Sequence, residues 1–306
     1  MTGKNYSVIV PVYNSSRTLR PLLEGIISSF GKIKETFEVI FIEDCSGDDS
    51  WNVLCKLKKE FPETVTVIRL AKNFGQHNAI LCGLNHMSGK HVITIDDDLQ
   101  IPPEEIEKLI AEFNKTHSDV IYGIYSEKKH GYFRNFGSRI VQKIFKKIFK
   151  AKNDITSFRL ISEHTASKLK NHKENFVFVD GLLHWYTNDF TFVSVRHEPR
   201  KTGKSGYNIN SLIKLANNLL FNFTTLPLKW MTYLGLTFSL LSFISAIIFI
   251  FRKLIYAVPL GYTSIIVTIF FFFGITLLVI GVIGEYVSRL YSVQNEKPQY
   301  SVKEII

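Results

Sequence analysis

The sequence predicts an α/β domain built on a mostly parallel sheet and followed by a C-terminal hairpin of two transmembrane helices. Apolar runs of strand length alternate with amphipathic helical stretches along the first two thirds of the 306-residue chain. This rhythm is typical of a sheet covered by helices on both faces. Polar residues gather where several of these runs end, and long charge-free stretches follow near the C-terminus.

The predicted strands and helices alternate in order along the chain. Strands are predicted at Ser7–Val12, Glu38–Glu43, Val65–Leu70, His91–Asp96 and Val120–Tyr125. Helices are predicted at Arg17–Phe30, Asp49–Glu60, Gln76–Met87 and Pro103–Asn114. Paired prolines suit the first turn of the last helix, because an N–H is not needed there.

Two apolar runs near the C-terminus predict a transmembrane hairpin at residues 229–288. Thr232–Phe251 and Val258–Gly284 carry no charge, and each is long enough to cross about 30 Å of hydrocarbon. The alternative, two buried core helices, is disfavoured because such helices rarely run so far without a charge. An amphipathic juxtamembrane helix is expected at 210–228, a cytoplasmic tail at 289–306, and the α/β domain at 1–209.

The N-terminal sequence predicts which side of the membrane the α/β domain occupies. The apolar run at Ser7–Val12 is too short for a signal peptide, so we expect this domain in the cytoplasm, on a multi-pass protein of the cytoplasmic (inner) membrane. The basic residues beyond the outer ends of the hairpin agree with this topology, whereas Arg252 and Lys253 between the runs oppose it. Those outer residues are Lys229, Arg289, Lys297 and Lys303. Cys45, Cys55 and Cys82 lack metal-site spacing, so we expect reduced, packed thiols.

Three consecutive aspartates follow the fourth predicted strand. In an extended segment alternate side chains share a face, so Asp96, Asp98 and Gln100 are expected on one side with Asp97 turned away. Two carboxylates and an amide oxygen suit Mg²⁺ or Mn²⁺, which would offset the repulsion between the carboxylates. The alternative is a solvated acidic turn that caps the next helix.

Two further polar clusters follow predicted strands, at Pro11–Asn14 and Glu43–Asp49. Because parallel sheets bind ligands beyond the carboxyl ends of their strands, we expect all three clusters on one rim. Asp44 could accept a hydrogen bond from a nucleotide base or ribose, while Asp48 or Asp49 could simply cap the next helix.

Basic residues dominate two later segments of a chain whose net charge is +10. Residues 130–152 combine helically spaced apolar positions with lysines, a pattern typical of a helix at an anionic membrane surface. Nucleic-acid binding is the competing interpretation, but the apolar runs favour the membrane. Arg134 and Arg139 could meet a phosphate. The Gly-rich basic segment His197–Tyr207 could close over a diphosphate or be a plain solvated loop.

These segments together resemble family 2 glycosyltransferases of the GT-A fold. The closer resemblance is to membrane-anchored polyprenyl-phosphate glycosyltransferases, the group that includes dolichol-phosphate mannose synthase, phage-type glucosyl carrier transferases and the aminoarabinose transferase. The matching stretches cover most of the chain, and their order is more specific than any one alone. They are VIVPVYN, FIEDCSGDDSW, LAKNFGQHNAILCGL, DDDLQIPPEEI, SFRLIS, RKTGKSGY and the Pro227–Leu228 entry to the hairpin.

The resemblance implies roles for the matching positions. Asp96, Asp98 and Gln100 would bind Mg²⁺ or Mn²⁺ on the diphosphate of a nucleotide sugar, with Asp98 and Arg200 taking part in catalysis. The residues implied to hold the nucleotide sugar are Pro11, Tyr13, Asp44, Asp96 and Lys204. The residues implied to hold the lipid phosphate are Arg134, Ser138, Arg139, Ser205 and Tyr207.

The chain departs from the family pattern at Ser157. Many relatives carry an acidic residue there, two positions before the arginine that is Arg159 here, and it is often discussed as a catalytic base. Asp154 is retained nearby. A hydroxyl acceptor needs a general base, whereas a phosphate monoester, whose second pKa is about 6, is already anionic at neutral pH. The loss is therefore tolerable if the acceptor is a lipid phosphate.

The sequence thus predicts an inverting, metal-dependent glycosyltransferase that moves a sugar from a UDP-, GDP- or dTDP-sugar to a polyprenyl phosphate at the cytoplasmic membrane face. Assembly into a homo-oligomer is a further expectation, and nucleic acid is not an expected partner. A rival acceptor is a sugar hydroxyl of a lipid-linked or surface glycan. The candidate bases for it are Asp154, Asp180, His184 and Glu198. A rival of another class is a non-catalytic membrane scaffold or sugar-nucleotide sensor.

Overall fold

A computed structural model describes residues 3–125, 156–170, 172, 176–198, 218, 220–255, 261–295 and 298–306. The chain divides into two compact units, residues 1–212 with 298–306 and residues 213–297. The first unit is an α/β domain and the second is helical.

An eight-stranded sheet forms the centre of the first unit, in the order β7-β5-β6-β4-β1-β2-β3-β8 among the described residues. β1 pairs in parallel with β2 and β4, β2 with β3, and β5 with β7, whereas β6 and β8 pair antiparallel with their neighbours. The strands are β1 Tyr6–Val12, β2 Phe37–Glu43, β3 Val65–Leu70, β4 His91–Thr94, β5 Val120–Tyr125, β6 Arg159–Ile161, β7 Phe190–Val195 and β8 Val302–Ile305.

Helices cover the sheet. They are α1 Leu19–Ile33, α2 Ser50–Glu60, α3 Gln76–His86, α4 Ile106–Thr116, α5 Glu163–Lys170 and α6 Val179–Tyr186, with a 3₁₀ turn at Pro103–Glu105. The predicted alternation and the mostly parallel α/β fold are confirmed. Several boundaries differ by one to three residues, and the one that matters for the site is the end of β4 at Thr94, after which the aspartates follow in a loop.

The central strand β1 is buried along its whole length. Its near-continuous apolar sequence is what a strand covered on both faces requires. Ser7 is the polar exception, and its hydroxyl donates to Glu38 Oε1 at 2.5 Å. Glu38 also accepts the backbone N–H of Ser88 at 2.6 Å. Burial by itself would raise the pKa of Glu38, but these hydrogen bonds and nearby Lys4 lower it below its ordinary value.

The turn before β4 approaches β1 so closely that only glycine fits. The N–H of Gly89 donates to Ser7 Oγ at 2.9 Å. A Cβ atom at Gly89 would lie 2.6 Å from the carbonyl carbon of Tyr6 and 2.7 Å from the backbone N of Ser7. These are backbone atoms, so a side chain here would push the turn away from the sheet.

The last strand, β8, comes from the segment that the sequence suggested was a tail. It pairs antiparallel with the edge strand β3, and the backbone N–H and C=O of Ile306 both bond to Val67, at 2.9 and 3.0 Å. The short stretch VKEI is mostly exposed, so it lacks the apolar alternation that would have predicted a strand. β8 satisfies the edge of β3, which would otherwise offer unpaired N–H and C=O groups.

The second unit contains two long helices, α7 Leu226–Ile255 and α8 Tyr262–Gln294. Within the described residues, one segment is long and apolar enough to cross a membrane, Phe271–Tyr291, with a mean hydropathy of 1.9. The structure therefore contains one candidate span, and the two-span hairpin remains a prediction. The predicted interfacial helix 130–152 lies outside the described residues, as do residues 210–217 and 219 of the predicted juxtamembrane helix.

We predict that Gly89→Ala destabilises the full-length protein by about 1–3 kcal/mol, because the new methyl group meets backbone atoms that cannot move aside. Gly31→Ala is the matched control: nothing lies within 4 Å of its added Cβ, and it should stabilise α1 by about 0.5–1 kcal/mol. Thermal unfolding in detergent measures both. Equal effects of the two substitutions would contradict the close approach of Gly89 to β1.

We predict a pH-dependent stabilisation from Glu38. Its lowered folded-state pKa means that the stabilisation is complete above the ordinary glutamate pKa of about 4.3 and is lost as the pH falls through the folded-state value. Glu38→Gln should cost roughly 1–2 kcal/mol at pH 6, and the difference from the wild type should shrink below pH 4. Melting temperatures across this pH range test the prediction, and a constant difference would refute it.

Candidate active site

The loops after β1, β2 and β4 meet at the carboxyl end of the sheet. The N–H of Tyr13 donates to Asp97 Oδ2 at 2.9 Å, and the N–H of Asn14 donates to Ser46 Oγ at 3.0 Å. These bonds join all three polar clusters. Their predicted convergence on one rim is therefore confirmed.

Asp97, expected to be turned away from the other two aspartates, holds the loop after β1. Besides binding the Tyr13 N–H through its side chain, its backbone carbonyl accepts the Thr18 hydroxyl at 2.5 Å. Burial raises the pKa of Asp97. Its contacts indicate a structural role, fixing the position of the exposed Tyr13 side chain relative to the acidic loop.

Asp96 is held by two neutral donors. Gln76 Nε2 donates to Asp96 Oδ1 at 2.6 Å, and the Ser157 hydroxyl donates to Asp96 Oδ2. Burial raises the pKa of Asp96 to about 6; the Ser157 hydrogen bond opposes this rise, and the charges of Asp98 and Asp97 add to it. Neither donor was assigned a role at this carboxylate from the sequence. The pairing of β4 with β6, which brings Ser157 here, and the position of Gln76 at the start of α3 cannot be seen in a single sequence.

Asp98 and Gln100 lie in the tight loop that follows. Asp98 Oδ1 accepts the N–H of Gln100 at 3.0 Å, and Leu99 between them adopts a left-handed conformation with φ 57°. Gln100 also meets the segment after β7: its carbonyl accepts the Glu198 N–H at 2.8 Å, and its Oε1 lies 3.4 Å from His197 Nε2. This segment therefore starts beside the acidic loop.

The residues present fit a hard divalent cation that is bound partly by the protein and partly by a substrate. In the described ranges, no group of three or more His, Cys, Asp or Glu side chains is arranged to hold an ion. Mg²⁺ usually binds through one or two carboxylates together with substrate phosphates, so two carboxylates suffice. Burial, and to a lesser extent the charges of Asp98 and Asp97, raise the pKa of Asp96, and a cation would relieve the repulsion between these carboxylates. The assignment of Asp96, Asp98 and Gln100 as ligands remains a prediction.

Asp44 holds the turn that leads into helix α3. Its Oδ1 accepts the Phe74 N–H at 2.7 Å and its Oδ2 accepts the Gly75 N–H at 2.8 Å. Burial raises the pKa of Asp44, although these two bonds oppose the rise. A carboxylate can accept further hydrogen bonds, so the predicted nucleotide contact stays open. Capping was the role expected of its neighbours, and Asp48 does accept the N–H of Ser50 at 3.1 Å at the start of α2.

Asp180, named above as a candidate base, is part of a buried polar cluster. Its Oδ1 accepts hydrogen bonds from the Tyr122 hydroxyl at 3.0 Å and from Arg159 Nη1. Arg159 has no solvent exposure, and its Nε donates to Thr94 Oγ1 at 3.1 Å. Because a buried guanidinium needs a partner that offsets its charge, these contacts favour a structural role for Asp180, and its role as a base stays a prediction.

The remaining predicted residues divide into two groups. Pro11 is buried within β1, and Tyr13, just beyond the strand, is 52% exposed at the rim. The others fall outside the described residues, and their roles remain predictions. They are Arg134, Ser138, Arg139, Asp154, Arg200, Lys204, Ser205 and Tyr207.

We predict that Asp180→Ala destabilises the protein by about 3–5 kcal/mol, because it leaves a buried guanidinium unpaired. Glu24→Ala, which removes a carboxylate in a surface pair with Arg20 at 3.7 Å, should cost under about 1 kcal/mol. Melting temperatures and detergent-soluble yield measure both. A stable Asp180→Ala protein that has lost only its turnover would instead make Asp180 a catalytic base.

Comparison with known proteins agrees with this architecture. The sequence model described as "Glycosyl transferase family 2" matches residues 7–173. The chain is 30% identical over 308 residues to the undecaprenyl-phosphate 4-deoxy-4-formamido-L-arabinose transferase of Serratia proteamaculans, covering 99% of this chain and 94% of that one. The enzyme of the same name from Yersinia pestis is 28% identical with the same coverage.

The fold is also that of a solved glycosyltransferase. The crystal structure of mannosyl-3-phosphoglycerate synthase from Rubrobacter xylanophilus aligns with a TM-score of 0.50 at 10% identity, covering 71% of this chain and 72% of that one. At this identity the likeness shows the GT-A fold alone. The family match, the relatives and the rim of carboxylates agree: the chain belongs to glycosyl transferase family 2.

Proposed function

We propose that this protein transfers a sugar from a nucleotide-diphosphate donor to a polyprenyl phosphate, with inversion, at the cytoplasmic face of the membrane. The observation that carries the proposal is the acidic rim formed by Asp96 and Asp98 in a family 2 chain. Relatives named as undecaprenyl-phosphate sugar transferases align over 99% of the chain. The helical C-terminal unit is therefore included in the likeness.

The residues of the rim suit a nucleotide diphosphate. Asp96 and Asp98 would hold Mg²⁺ or Mn²⁺, with Gln100 as a third ligand, and the ion when bound would stabilise the charge of the leaving diphosphate. Asp97 fixes the loop that carries Tyr13, whose exposed ring could contact the nucleotide. Asp44 keeps the start of α3 against the end of β2, so that Gln76 reaches Asp96.

The choice between a phosphate acceptor and a hydroxyl acceptor depends on which acidic side chains could serve as a general base. A hydroxyl acceptor needs a general base, but Ser157 replaces the acid found in many relatives and Asp180 is committed to Arg159. A phosphate monoester is already an anionic nucleophile at neutral pH. The site thus favours a lipid phosphate over a sugar hydroxyl. Asp154, His184 and Glu198 stay candidate bases for the hydroxyl alternative, with Arg200 proposed to assist at the phosphates.

The location and assembly are proposed on the same basis. The candidate span Phe271–Tyr291, together with the apolar α7, supports a two-helix hairpin and a multi-pass protein of the cytoplasmic membrane. The basic segment 130–152 would lie at the lipid headgroups, near residues proposed to hold the lipid phosphate: Arg134, Ser138, Arg139, Ser205 and Tyr207. Lys204 would contact the donor. A homo-oligomer formed through the membrane helices is part of this proposal.

A purified full-length protein should transfer radiolabelled sugar from one member of a nucleotide-sugar panel to a short-chain polyprenyl phosphate. Transfer should stop with EDTA. It should fall on the order of 100-fold or more in Asp98→Ala, because a ligand of a charge-stabilising ion contributes several kcal/mol to the barrier. Extraction of the lipid product and counting measure it.

Asp49→Asn is the matched control, because Asp49 is an exposed rim carboxylate whose partner is Asn52. It should keep near wild-type transfer. Donor binding without transfer to any polyprenyl phosphate would instead favour a sugar hydroxyl as the acceptor. Unchanged function of Asp98→Ala in cells would favour the scaffold or sensor alternative.

A further inference from the structure

Ser157 lies opposite Asp96 because of the register between β4 and β6. These strands pair antiparallel, with Val92 opposite Ile161 and Thr94 opposite Arg159. Continuing this register by two residues on each strand brings position 157 across from position 96. The two positions therefore face each other just beyond the ends of the paired strands, and the Ser157 hydroxyl donates to Asp96 Oδ2.

The backbone of Ser157 is fixed independently of Asp96. Thr94 Oγ1 donates to the Ser157 carbonyl at 2.5 Å, and Thr94 in turn accepts from the buried Arg159. The Ser157 hydroxyl is therefore presented from an anchored position. It donates to Asp96 Oδ2 while Gln76 donates to Oδ1. A donor on each oxygen restricts rotation of the carboxylate about its Cβ–Cγ bond.

The identity of residue 157 decides what opposes this carboxylate. A second acid there would put like charges directly opposite each other, an arrangement that destabilises a strand pair. An alanine would leave Oδ2 without this donor. A hydroxyl can donate to the carboxylate and still leave lone pairs on it for another partner.

We propose that Ser157 is a positioning residue for the divalent cation: its hydroxyl orients the Asp96 carboxylate so that Asp96 binds the ion without first reorganising. Groups that hydrogen-bond to a metal ligand in this way commonly set the affinity of a site. The inference rests on the proposed role of Asp96 in holding the ion. It gives the serine at this position a function of its own.

The test measures Mn²⁺ binding to full-length protein in detergent by the loss of the free-ion electron paramagnetic resonance signal, with no substrate present. Ser157→Ala should raise the dissociation constant for Mn²⁺ roughly tenfold or more, and Ser157→Thr, which keeps the hydroxyl, should restore it. In the transfer assay Ser157→Ala should need more Mn²⁺ for half-maximal rate, while kcat at saturating Mn²⁺ stays close to the wild type.

Ser162→Ala is the matched control. It deletes a hydroxyl just beyond the other end of β6, where Ser162 Oγ donates to Asp119 Oδ1 at 3.1 Å, and it should leave the Mn²⁺ affinity unchanged. Melting temperatures show that each variant is folded. If Ser157→Ala does not fold, Ser157→Cys keeps the size of the side chain with only a weak donor, and the same loss of affinity is expected.

Two results would overturn the inference, and they differ from each other. A folded Ser157→Ala protein with the Mn²⁺ affinity of the wild type would show that the hydroxyl is only structural, with the proposed function intact. If the wild-type protein binds no Mn²⁺, both the proposed metal dependence of the transfer and this role of Ser157 are wrong. A wild type that binds Mn²⁺ but transfers no sugar still tests Ser157 through the binding constant.

Discussion

The guanidinium of Arg159 has no solvent exposure and lies beneath the rim at the carboxyl ends of the strands. The geometry of this rim depends on the groups that neutralise the charge of Arg159. Arg159 on β6 pairs with Asp180 on α6 and donates to Thr94 on β4, while Tyr122 on β5 shares the same carboxylate. Unpaired burial of such a charge would cost several kcal/mol, so these elements must assemble together. Thr94 donates a hydrogen bond to the backbone carbonyl of Ser157, and the Ser157 hydroxyl donates to Asp96, so the position of Arg159 also constrains these two residues.

This arrangement explains how a loop with three adjacent carboxylates keeps one conformation. Each aspartate has a different partner: Asp96 binds side-chain donors from α3 and from the residues before β6, Asp97 binds the loop after β1, and Asp98 binds the backbone of its own turn. Because each carboxylate is held by a different element of the fold, these hydrogen bonds offset the repulsion among the three. The contacts of Asp97 indicate a structural role, whereas Asp96 and Asp98 are the ligands proposed for an ion.

The sequence predicted the parallel part of the fold well, because β1 to β5 and the helices between them carry strong apolar periodicity and clear boundary residues. The sequence analysis did not predict β6, β7 or β8. β6 and β8 have only three and four residues, and their identity as strands comes from their partners. The same distinction between local pattern and long-range pairing applies to the site. The rim was predictable from polar residues at strand ends, whereas Gln76, Ser157 and the structural role of Asp180 depend on pairings that bring together residues distant in sequence, such as Asp96 and Ser157.

The position of β8 at the edge of β3 has a consequence for the order of folding. The segment 302–305 is synthesised after the whole helical unit 213–297, so a nascent chain carries the α/β domain with one sheet edge unfinished until translation of these residues. Pairing separated by more than two hundred positions is slow to form because the chain must first close a large loop. During that interval the edge of β3 offers unpaired N–H and C=O groups that can pair with another chain.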